Sequence, residues 1–474
     1  MMIERCTGLL WIAIAVAFAL LFQRQQLAWE SLQMMWGQDF AFFQRILNNA
    51  AAGREWGSNL LLEPTGFLSM VHFHPIFLLL VPIWSAVGEP GLLMGINVGA
   101  VVLAALPLAW LGREASGSRW FGLLAGLAWL VWLPTHGAAL ADFRPMALLT
   151  PALALVAAAV WARHRGALLA GALLAMAARE ESSYLLIFMG GALFVGLPFG
   201  GRRHREGLLL AVCGGLWFLF LLWQKENFFF HFNPVATLQG LGEGPSVPEE
   251  LSEARQAFLL KSWLGGYLLA PLSPTPLAMS GGALAWLLGD THREWHAISG
   301  TVVYLKDPLL PLIAAAGTAG AGAVAKRLPD RFGLLVGVGM VAGNALSFPV
   351  ERQRLGERHE AMEESLSSAE IPLIWRLVQE VPADARVATD YRLIATLADR
   401  RVLWNAAHLH MEDAPPPHWE AEWPLGLERL DTLLLPTGDG VLEMVDGDWR
   451  RTGIGGGYEL WRRIGPWEGP EPLL

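Results

Sequence analysis

The chain has 474 residues and a formal net charge of −9, and 54% of its residues are hydrophobic while only 16% are charged. Soluble domains carry about 25% charged residues, so this composition and the mean hydropathy of +0.39 indicate a membrane protein. The acidic balance argues against a nucleic acid partner. The two cysteines, both in apolar stretches, argue against a disulfide framework or a zinc site.

The first predicted element is a retained membrane helix at the N-terminus. Arg5 precedes an apolar run that ends at Phe22. The polar residues 23–26 follow without the small-residue cleavage site that a removed signal peptide requires. We therefore expect residues 8–22 to stay in the membrane as the first span.

Apolar runs that could cross a bilayer recur along the chain up to residue 348. A spanning helix needs about 20 mostly apolar residues, and charged residues or aromatic belts mark its ends. Runs bounded in this way lie at residues 8–22, 92–111, 120–140, 146–161, 166–178, 183–197, 207–223, 308–325 and 332–348. They predict a polytopic α-helical membrane domain with at least nine full crossings.

Residues 75–87 form a shorter apolar segment that Pro75 and Pro82 interrupt. If this segment does not span, the later arginine- and lysine-rich loops all fall on the cytoplasmic side, as the positive-inside bias requires. If it spans, those loops scatter to the wrong side. The segment is also too short for a full crossing, so we predict an interfacial or re-entrant piece at the outer face.

Residues 263–288 form a second interrupted stretch, with Pro271, Pro274 and Pro276 near its middle. Both flanking loops must lie outside, so the stretch is either a re-entrant hairpin or two short crossings. The sequence thus predicts about nine to eleven spans, a cytoplasmic N-terminus and an extracytoplasmic C-terminal part, as in a bacterial plasma (inner) membrane protein.

The C-terminal part, residues 350–474, differs in composition from the membrane domain of residues 1–349 and predicts a small soluble α/β domain. Charged residues are frequent at its start, and helical and strand-like patterns then alternate. We expect a helix at residues 371–381 and strands at 385–390, 401–405, 431–436 and 458–464, the last an edge strand after the glycine turn at 455–457.

With this topology, polar residues gather in four clusters on the outer side. Ionisable residues near a bilayer are costly, so they tend to line a cavity or to pair with one another. The clusters are Asp39 with Arg45, Arg54, Glu55 and Glu63 in the first outer loop, residues 23–66; His72 and His74; Asp142 and Arg144; and Arg179, Glu180 and Glu181.

In the first outer loop, Asp39 precedes apolar residues at helical spacing from Phe42 to Leu47. This pattern predicts an amphipathic helix that lies on the membrane, with Asp39 near its N-terminus. Such an aspartate is either an N-cap or a catalytic carboxylate that faces a cavity, and the spacing fits both.

His72 and His74 lie two residues apart, so their side chains face one way on an extended segment, which the following Pro75 favours. They could bind a metal ion or a phosphate. The alternative is an interfacial pair that is satisfied by backbone or water.

Arg144 and Arg179 are candidates for phosphate binding, because a planar guanidinium matches two phosphate oxygens. The alternative for Arg144 is a helix-end arginine that reaches to the interface. For Arg179, the alternative is a polar hinge with an internal ion pair to Glu180 or Glu181.

The order of these motifs resembles a known family. Asp39 with Gln44 and Gly53, then Val-His-Phe-His-Pro at 71–75, Asp-Phe-Arg-Pro at 142–145 and Arg179-Glu180 before an apolar helix resemble the bacterial membrane proteins catalogued as domain of unknown function 2079. The resemblance covers about residues 8–350. That family is similar to the GT-C glycosyltransferases, which implies a catalytic aspartate in the first outer loop, here Asp39, and a lipid-phosphate-linked sugar donor.

The chain also departs from the family pattern. Where the family usually has Phe-His-Pro-Glu, this chain has Phe143-Arg144-Pro145-Met146, and Arg179-Glu180-Glu181 replaces the more usual Lys-Glu-Asp. An imidazole and a carboxylate are thereby lost, which weighs against metal dependence.

The leading hypothesis is an inverting glycosyltransferase that moves a sugar from a polyprenyl-phosphate donor to an acceptor at the outer face. Asp39 would be the general base. Donor, acceptor and phosphate contacts would come from Arg54, His72, His74, Asp142, Arg144, Arg179 and Glu180. A divalent metal at His72 and His74 is a compatible cofactor, and the membrane lipid itself is the other expected partner.

Two alternatives come from other classes. One is a transporter or flippase of lipid-linked or small solutes, for which paired repeats and midplane broken helices are typical. The other is a non-catalytic membrane assembly protein that recruits partners through its C-terminal domain. A closed, packed surface at Asp39 would favour this last alternative.

Overall fold

The molecule combines a helical membrane domain with a small C-terminal domain that contains a mixed sheet, which is the predicted fold class. A computed structural model describes residues 2–34, 37–53, 57–58, 65–66, 73–180, 182–195, 203–227, 267–269, 309–400, 402–406, 409, 427 and 430–464.

Over its described residues, each apolar run of the sequence lies mostly on one helix or on two consecutive ones. They are α1 (Met2–Glu30), α2 (Gly37–Ala51), α3 (Phe77–Val87), α4 (Pro90–Leu103), α5 (Ala105–Ser116), α6 (Arg119–Val131), α7 (Leu133–Leu140), α8 (Leu149–Ala162), α9 (Arg165–Ala178), α10 (Ser182–Val195), α11 (His204–Asn227), α12 (Leu309–Ala325), α13 (Asp330–Leu346), α14 (Pro349–Ser367) and α15 (Glu370–Glu380).

Several of these helices are long and apolar enough to cross a membrane. Within the described residues, four stretches pass on length and composition alone, and two bent pairs, α6–α7 and α13–α14, bring the number to six. The described residues also contain shorter apolar helices of 10–17 residues, among them α9 and α10. The chain is therefore a multi-pass membrane protein. The total of nine to eleven spans stays a prediction, because most of residues 228–308 lies outside the described residues.

The two proline-interrupted segments differ in how much of them the structure describes. Helix α3 has 11 residues. At about 1.5 Å per residue it is roughly half as long as a hydrocarbon core of about 30 Å, so it cannot cross alone. Of the second segment, residues 263–288, the structure describes only 267–269, which form a turn.

Small residues let the membrane helices approach closely. Between α10 and α11, an added Cβ at Gly190 would lie 2.5 Å from the backbone nitrogen of Ala211, and one at Gly207 would lie 2.7 Å from that of Phe194. In a bilayer such close backbone packing replaces the hydrophobic effect as a source of helix association. The close contact between α10 and α11 therefore depends on glycine, which has no side chain, at positions 190 and 207.

The C-terminal sheet has five strands in the order β4-β3-β5-β7-β6. Strands β3, β4 and β5 are parallel, while β7 is antiparallel to both β5 and β6. A separate two-residue pair, β1 with β2, lies in the first outer loop. The strands are β1 (Gly57–Ser58), β2 (Thr65–Gly66), β3 (Arg386–Thr389), β4 (Val402–Asn405), β5 (Thr432–Pro436), β6 (Trp449–Gly455) and β7 (Tyr458–Arg463).

The prediction that residues 458–464 form an edge strand was wrong, because β7 lies inside the sheet and β6 forms the edge. Most of β6 is at least partly exposed, so it lacks the apolar pattern that marks a buried strand. Gly456 and Gly457 join β6 to β7 with φ values of +59° and +76°. Two positive φ angles in a row suit the type I′ hairpin turn, which only a few residue types besides glycine adopt readily.

The prediction that the helix after Asp39 lies on the membrane was also wrong, because α2 packs against protein. Most of its residues are buried, and the same apolar core includes residues from α3 and from the C-terminal domain. An added Cβ at Gly37 would lie 3.2 Å from the Tyr391 carbonyl oxygen. The division into domains at residues 349 and 350 stays a prediction, but one core extends across it.

We expect Gly190→Leu to lower the melting temperature of the purified protein, because the new side chain has no room between α10 and α11. Overpacking of this kind costs about 1–3 kcal/mol, and more where backbone must move. The neighbouring Gly191 is exposed and has nothing within 4 Å of an added Cβ, so Gly191→Leu is the matched control. Equal losses in both variants would contradict the packing described.

Candidate functional site

The segment that leads into α3, residues 73–76, lies against the last turn of α9 and the residues that follow it. The Ile76 amide donates to the Ala177 carbonyl at 2.9 Å, and the Phe73 amide donates to Glu180 Oε2 at 3.1 Å. Glu180 is 2% exposed, so its carboxylate is a buried support for this backbone. Two of the predicted polar clusters thus meet directly.

His74 is fixed in this arrangement by its ring. Its Nδ1 lies 2.6 Å from the Ala178 carbonyl oxygen, which can only accept, so Nδ1 donates and carries the proton in the neutral ring. The ring is buried and packs edge-on against Phe43 of α2 and Phe77 of α3. Nε2 is then the acceptor nitrogen of the neutral imidazole.

Two amide side chains hold the 142–144 segment in place. Gln25 Nε2 donates to the carbonyls of Ala139 and Ala141 at 2.8 and 2.6 Å. Asn97 Nδ2 donates to the same two oxygens at 3.1 and 2.8 Å. The carbonyls at a helix C-terminus lack partners within the helix, so these amides satisfy the end of α7 and fix the direction in which the chain leaves it.

Asp39 and Arg144 form an ion pair between the first outer loop and the 142–144 segment. The Asp39 side chain is 33% exposed and the Arg144 side chain 11%. Asp39 lies inside the first turn of α2, which begins at Gly37, and not at the N-cap. A carboxylate there interacts favourably with the helix dipole. The pair is therefore fixed by charge and remains partly open to the surroundings.

Phe43 brings the clusters together around this ion pair. It lies one helical turn after Asp39, and its ring centroid is 5.6 Å from that of His74 and 6.0 Å from that of Phe143, the neighbour of Arg144. Aromatic edges and faces that meet in this way orient one another. Asp39, His74, Arg144 and Glu180 thus belong to one region, while their roles stay predictions.

Two positions at which the chain departs from the family pattern are neighbours. Arg179 Nη1 lies 2.7 Å from the Met146 sulfur. The family usually has lysine and glutamate at these positions, which would make an ion pair here. In this chain the neighbour of the guanidinium is a thioether, which is only a weak hydrogen-bond acceptor.

Asp142 interacts electrostatically with a helix that the sequence did not single out. It is 3% exposed and attracts Arg358 of α14 electrostatically. Arg358 Nη2 in turn donates to the Gln33 carbonyl at 2.8 Å, in the chain that leads into α2. The Arg358 hydrogen bond therefore joins α14 to the first outer loop, and the Asp142 carboxylate favours the charged guanidinium that makes it.

The C-terminal domain holds α2 on its other side. Arg45 Nη1 donates to the Arg400 carbonyl at 2.7 Å, and Asn405 Nδ2 donates to Gln38 Oε1 at 2.9 Å. Gln38 is the residue before Asp39, so the domain positions the turn that carries the carboxylate. The sequence placed Arg45 in the right loop but gave no indication of this contact.

Some predicted site residues cannot be placed. Arg54, His72 and Glu181 lie outside the described residues, so the metal site at His72 and His74 stays a prediction. Within the part of the chain that the structure describes, no three His, Cys, Asp or Glu side chains are grouped so that they could hold a metal ion.

The fold is similar to that of solved membrane proteins. Two crystal structures of ArnT from Cupriavidus metallidurans align with the chain, one bound to undecaprenyl phosphate and one in the apo state. The first has a TM-score of 0.56 at 12% identity and covers 98% of this chain and 100% of ArnT. The second has a TM-score of 0.54 at 13% identity and covers 98% and 99%.

The chain is therefore a multi-pass membrane protein whose fold is similar to that of ArnT. The family resemblance is confirmed more narrowly, since the family described as "Predicted membrane protein (DUF2079)" matches residues 31–235. That range contains all the predicted site residues. No curated protein matches the chain in sequence.

We expect Met146→Glu to give a more stable protein than Met146→Gln, because the carboxylate would pair with Arg179. A hydrogen bond to a charged group contributes about 1.5–3 kcal/mol, whereas a buried carboxylate without a partner is strongly unfavourable. Thermal unfolding measures the difference. In an Arg179→Met background the order of the two variants should reverse, and an unchanged order there would disprove the contact.

We expect Arg45→Met to weaken the attachment of the C-terminal domain, because the part-buried Arg400 carbonyl loses the donor that the buried Arg45 side chain supplies. An unsatisfied buried group costs about 1–3 kcal/mol. The expected readouts are a lower melting temperature and faster limited proteolysis near residue 400. Arg376→Met is the control, since this 76% exposed side chain pairs with Glu380 on the surface of α15. A similar effect of both variants would argue against the buried contact.

Proposed function

We propose that the protein is an integral-membrane glycosyltransferase that moves a sugar from a polyprenyl-phosphate donor to an acceptor at the outer face of the membrane. The observation that carries the proposal is the Asp39–Arg144 ion pair, formed in an ArnT-like fold by a first-loop aspartate and a largely buried arginine. A carboxylate can take a proton and a guanidinium can bind a phosphate, so the pair contains both groups that the transfer needs.

In the proposed reaction the two groups act on different partners, Asp39 on the acceptor hydroxyl and Arg144 on the lipid phosphate. The acceptor hydroxyl attacks the anomeric carbon as Asp39 accepts its proton, and a new bond forms between that carbon and the acceptor oxygen. The bond from the carbon to the phosphate oxygen breaks with inversion. The lipid phosphate leaves with an additional negative charge, which the Arg144 guanidinium stabilises as it develops.

The ion pair also links donor binding to the readiness of the base. Without donor, Arg144 holds the Asp39 carboxylate and the two charges satisfy each other. A donor phosphate competes for the same guanidinium, since both anions fit its planar donor groups. When Arg144 turns to the phosphate, Asp39 becomes available to the acceptor hydroxyl.

Other predicted residues have supporting roles in this proposal. Arg179, next to Glu180, would add positive charge for the phosphate. Glu180 positions the backbone at Phe73 and so the His74 ring. Arg54 and His72, which lie outside the described residues, complete the predicted set.

The lipid partner and the orientation belong to the same proposal. The solved ArnT structure contains undecaprenyl phosphate, which supports a polyprenyl phosphate as the carrier for this chain. The positive-inside bias supports a cytoplasmic N-terminus in the plasma membrane. The C-terminal domain and α2 then lie outside the cytoplasm, together with Asp39.

We expect Asp39→Asn to reduce transfer by about 100-fold or more, because general base catalysis contributes about 10²–10⁴. The assay presents purified protein in proteoliposomes with labelled polyprenyl-phosphate sugars and bacterial envelope acceptors. Arg144→Gln should raise the donor concentration for half-maximal rate as well as lower the rate, because it removes a phosphate contact.

Asp399→Asn is the matched control, since the exposed Asp399 pairs with Arg400 on the surface of the C-terminal domain and should leave transfer unchanged. Full transfer activity in Asp39→Asn would contradict the assignment of Asp39 as the general base. Movement of the labelled donor across the bilayer without any transfer would identify a flippase instead.

A further inference from the structure

A second polar region lies at the other end of α9, away from the candidate site. The sequence Arg-His-Arg occurs twice, at residues 163–165 and 203–205, and both copies line one pocket of about 700 Å³. The described lining consists of Arg163, His164, Arg165, Gly166, Arg203, His204, Arg205 and Glu206.

Helix ends bring the two copies together. Helix α8 ends at Ala162, and the next residue, Arg163, has a φ of 56° that turns the chain back sharply. His164 then caps α9 by accepting from the Ala167 amide at 3.1 Å. His204 opens α11 and packs edge-on against Phe194. Two helix N-termini, each with the positive end of its dipole, therefore adjoin the same pocket.

The charges around the pocket are unbalanced. The described lining has four arginines, and Glu206 is its acidic residue. Burial lowers the pKa of the Arg203 guanidinium and the nearby Arg163 lowers it further, while Glu206 acts in the opposite direction. Arg203 Nη1 is buried and has no hydrogen-bond partner among the described residues. An anion in the pocket would relieve this repulsion and supply the missing acceptor.

The pocket is separate from the Asp39 region. Helix α9 has 14 residues, which corresponds to about 21 Å at 1.5 Å per residue. His164 and Arg165 lie at its start, whereas Ala178, which contacts His74, lies at its end. A ligand of the pocket therefore cannot touch the ion pair. The positive-inside bias explains why arginines occur in these loops, but it does not explain why both loops line one cavity.

We propose that this pocket is a binding site for a phosphate-bearing anion, at the opposite end of the membrane domain from Asp39. Paired guanidinium groups recognise phosphate oxygens in two directions, and the helix N-termini add backbone donors and dipole charge. The phosphate belongs either to the headgroup of an anionic lipid or to a soluble phosphate compound. This inference does not depend on the transferase activity.

The test measures binding to the full-length protein. In one arm, native mass spectrometry counts phosphatidylglycerol and phosphatidylcholine retained by protein released from detergent. In the other arm, calorimetry measures binding of inorganic pyrophosphate. Arg163→Gln/Arg203→Gln should weaken binding of the anion by about tenfold or more, since each charged hydrogen bond contributes at least this much.

The control is Arg119→Gln/Arg327→Gln, which removes the same charge from exposed residues outside the pocket lining. A lipid headgroup is supported if the protein retains phosphatidylglycerol but not phosphatidylcholine, and if only the pocket variant loses this retention. Pyrophosphate binding that is lost only in that variant supports a soluble ligand. Equal losses in both variants, or no preference for phosphatidylglycerol and no pyrophosphate binding, would overturn the proposal. Thermal unfolding of each variant checks that the protein remains folded.

Discussion

The burial of α2 between the membrane domain and the C-terminal domain is the contact on which the candidate site depends. Its apolar residues share a core with α3 and with residues near 394–400, and its polar residues donate to or accept from the C-terminal domain. Because two surfaces fix the helix, Asp39 is presented to Arg144 from a rigid support. A helix that only rested on lipid would not place a carboxylate with this accuracy.

Much of this arrangement could be predicted from local patterns. Apolar runs reveal membrane helices because lipid requires about 20 apolar residues whatever the tertiary structure is. Charge parity kept residues 75–87 from spanning and so predicted that Asp39, His74, Arg144 and Glu180 lie on one side of the membrane. These predictions rest on periodicity and on the cost of charge in a bilayer, both of which the sequence displays directly.

The missing parts depend on contacts between residues far apart in the chain. Nothing near Gln25 or Asn97 indicates that both side chains bind the end of α7. The amphipathic pattern of α2 is the same whether its partner is lipid or protein, so the sequence could not distinguish the two. The interpretation that α2 lies on lipid was wrong because the helix is buried against protein. Strand β6 was not predicted because an exposed edge strand has no alternation of apolar and polar residues. The closeness of Met146 to Arg179 also follows only from the fold.

The buried position of α2 has a consequence for biogenesis. Arg45 is paired with a residue 355 positions later, so the first outer loop reaches its final packing only after nearly the whole chain has been synthesised. Contacts of such high sequence separation form late, and a segment that waits for them exposes apolar surface in the meantime. The membrane helices can insert one after another as they emerge, but the region around Asp39 matures last, when the C-terminal domain folds onto it.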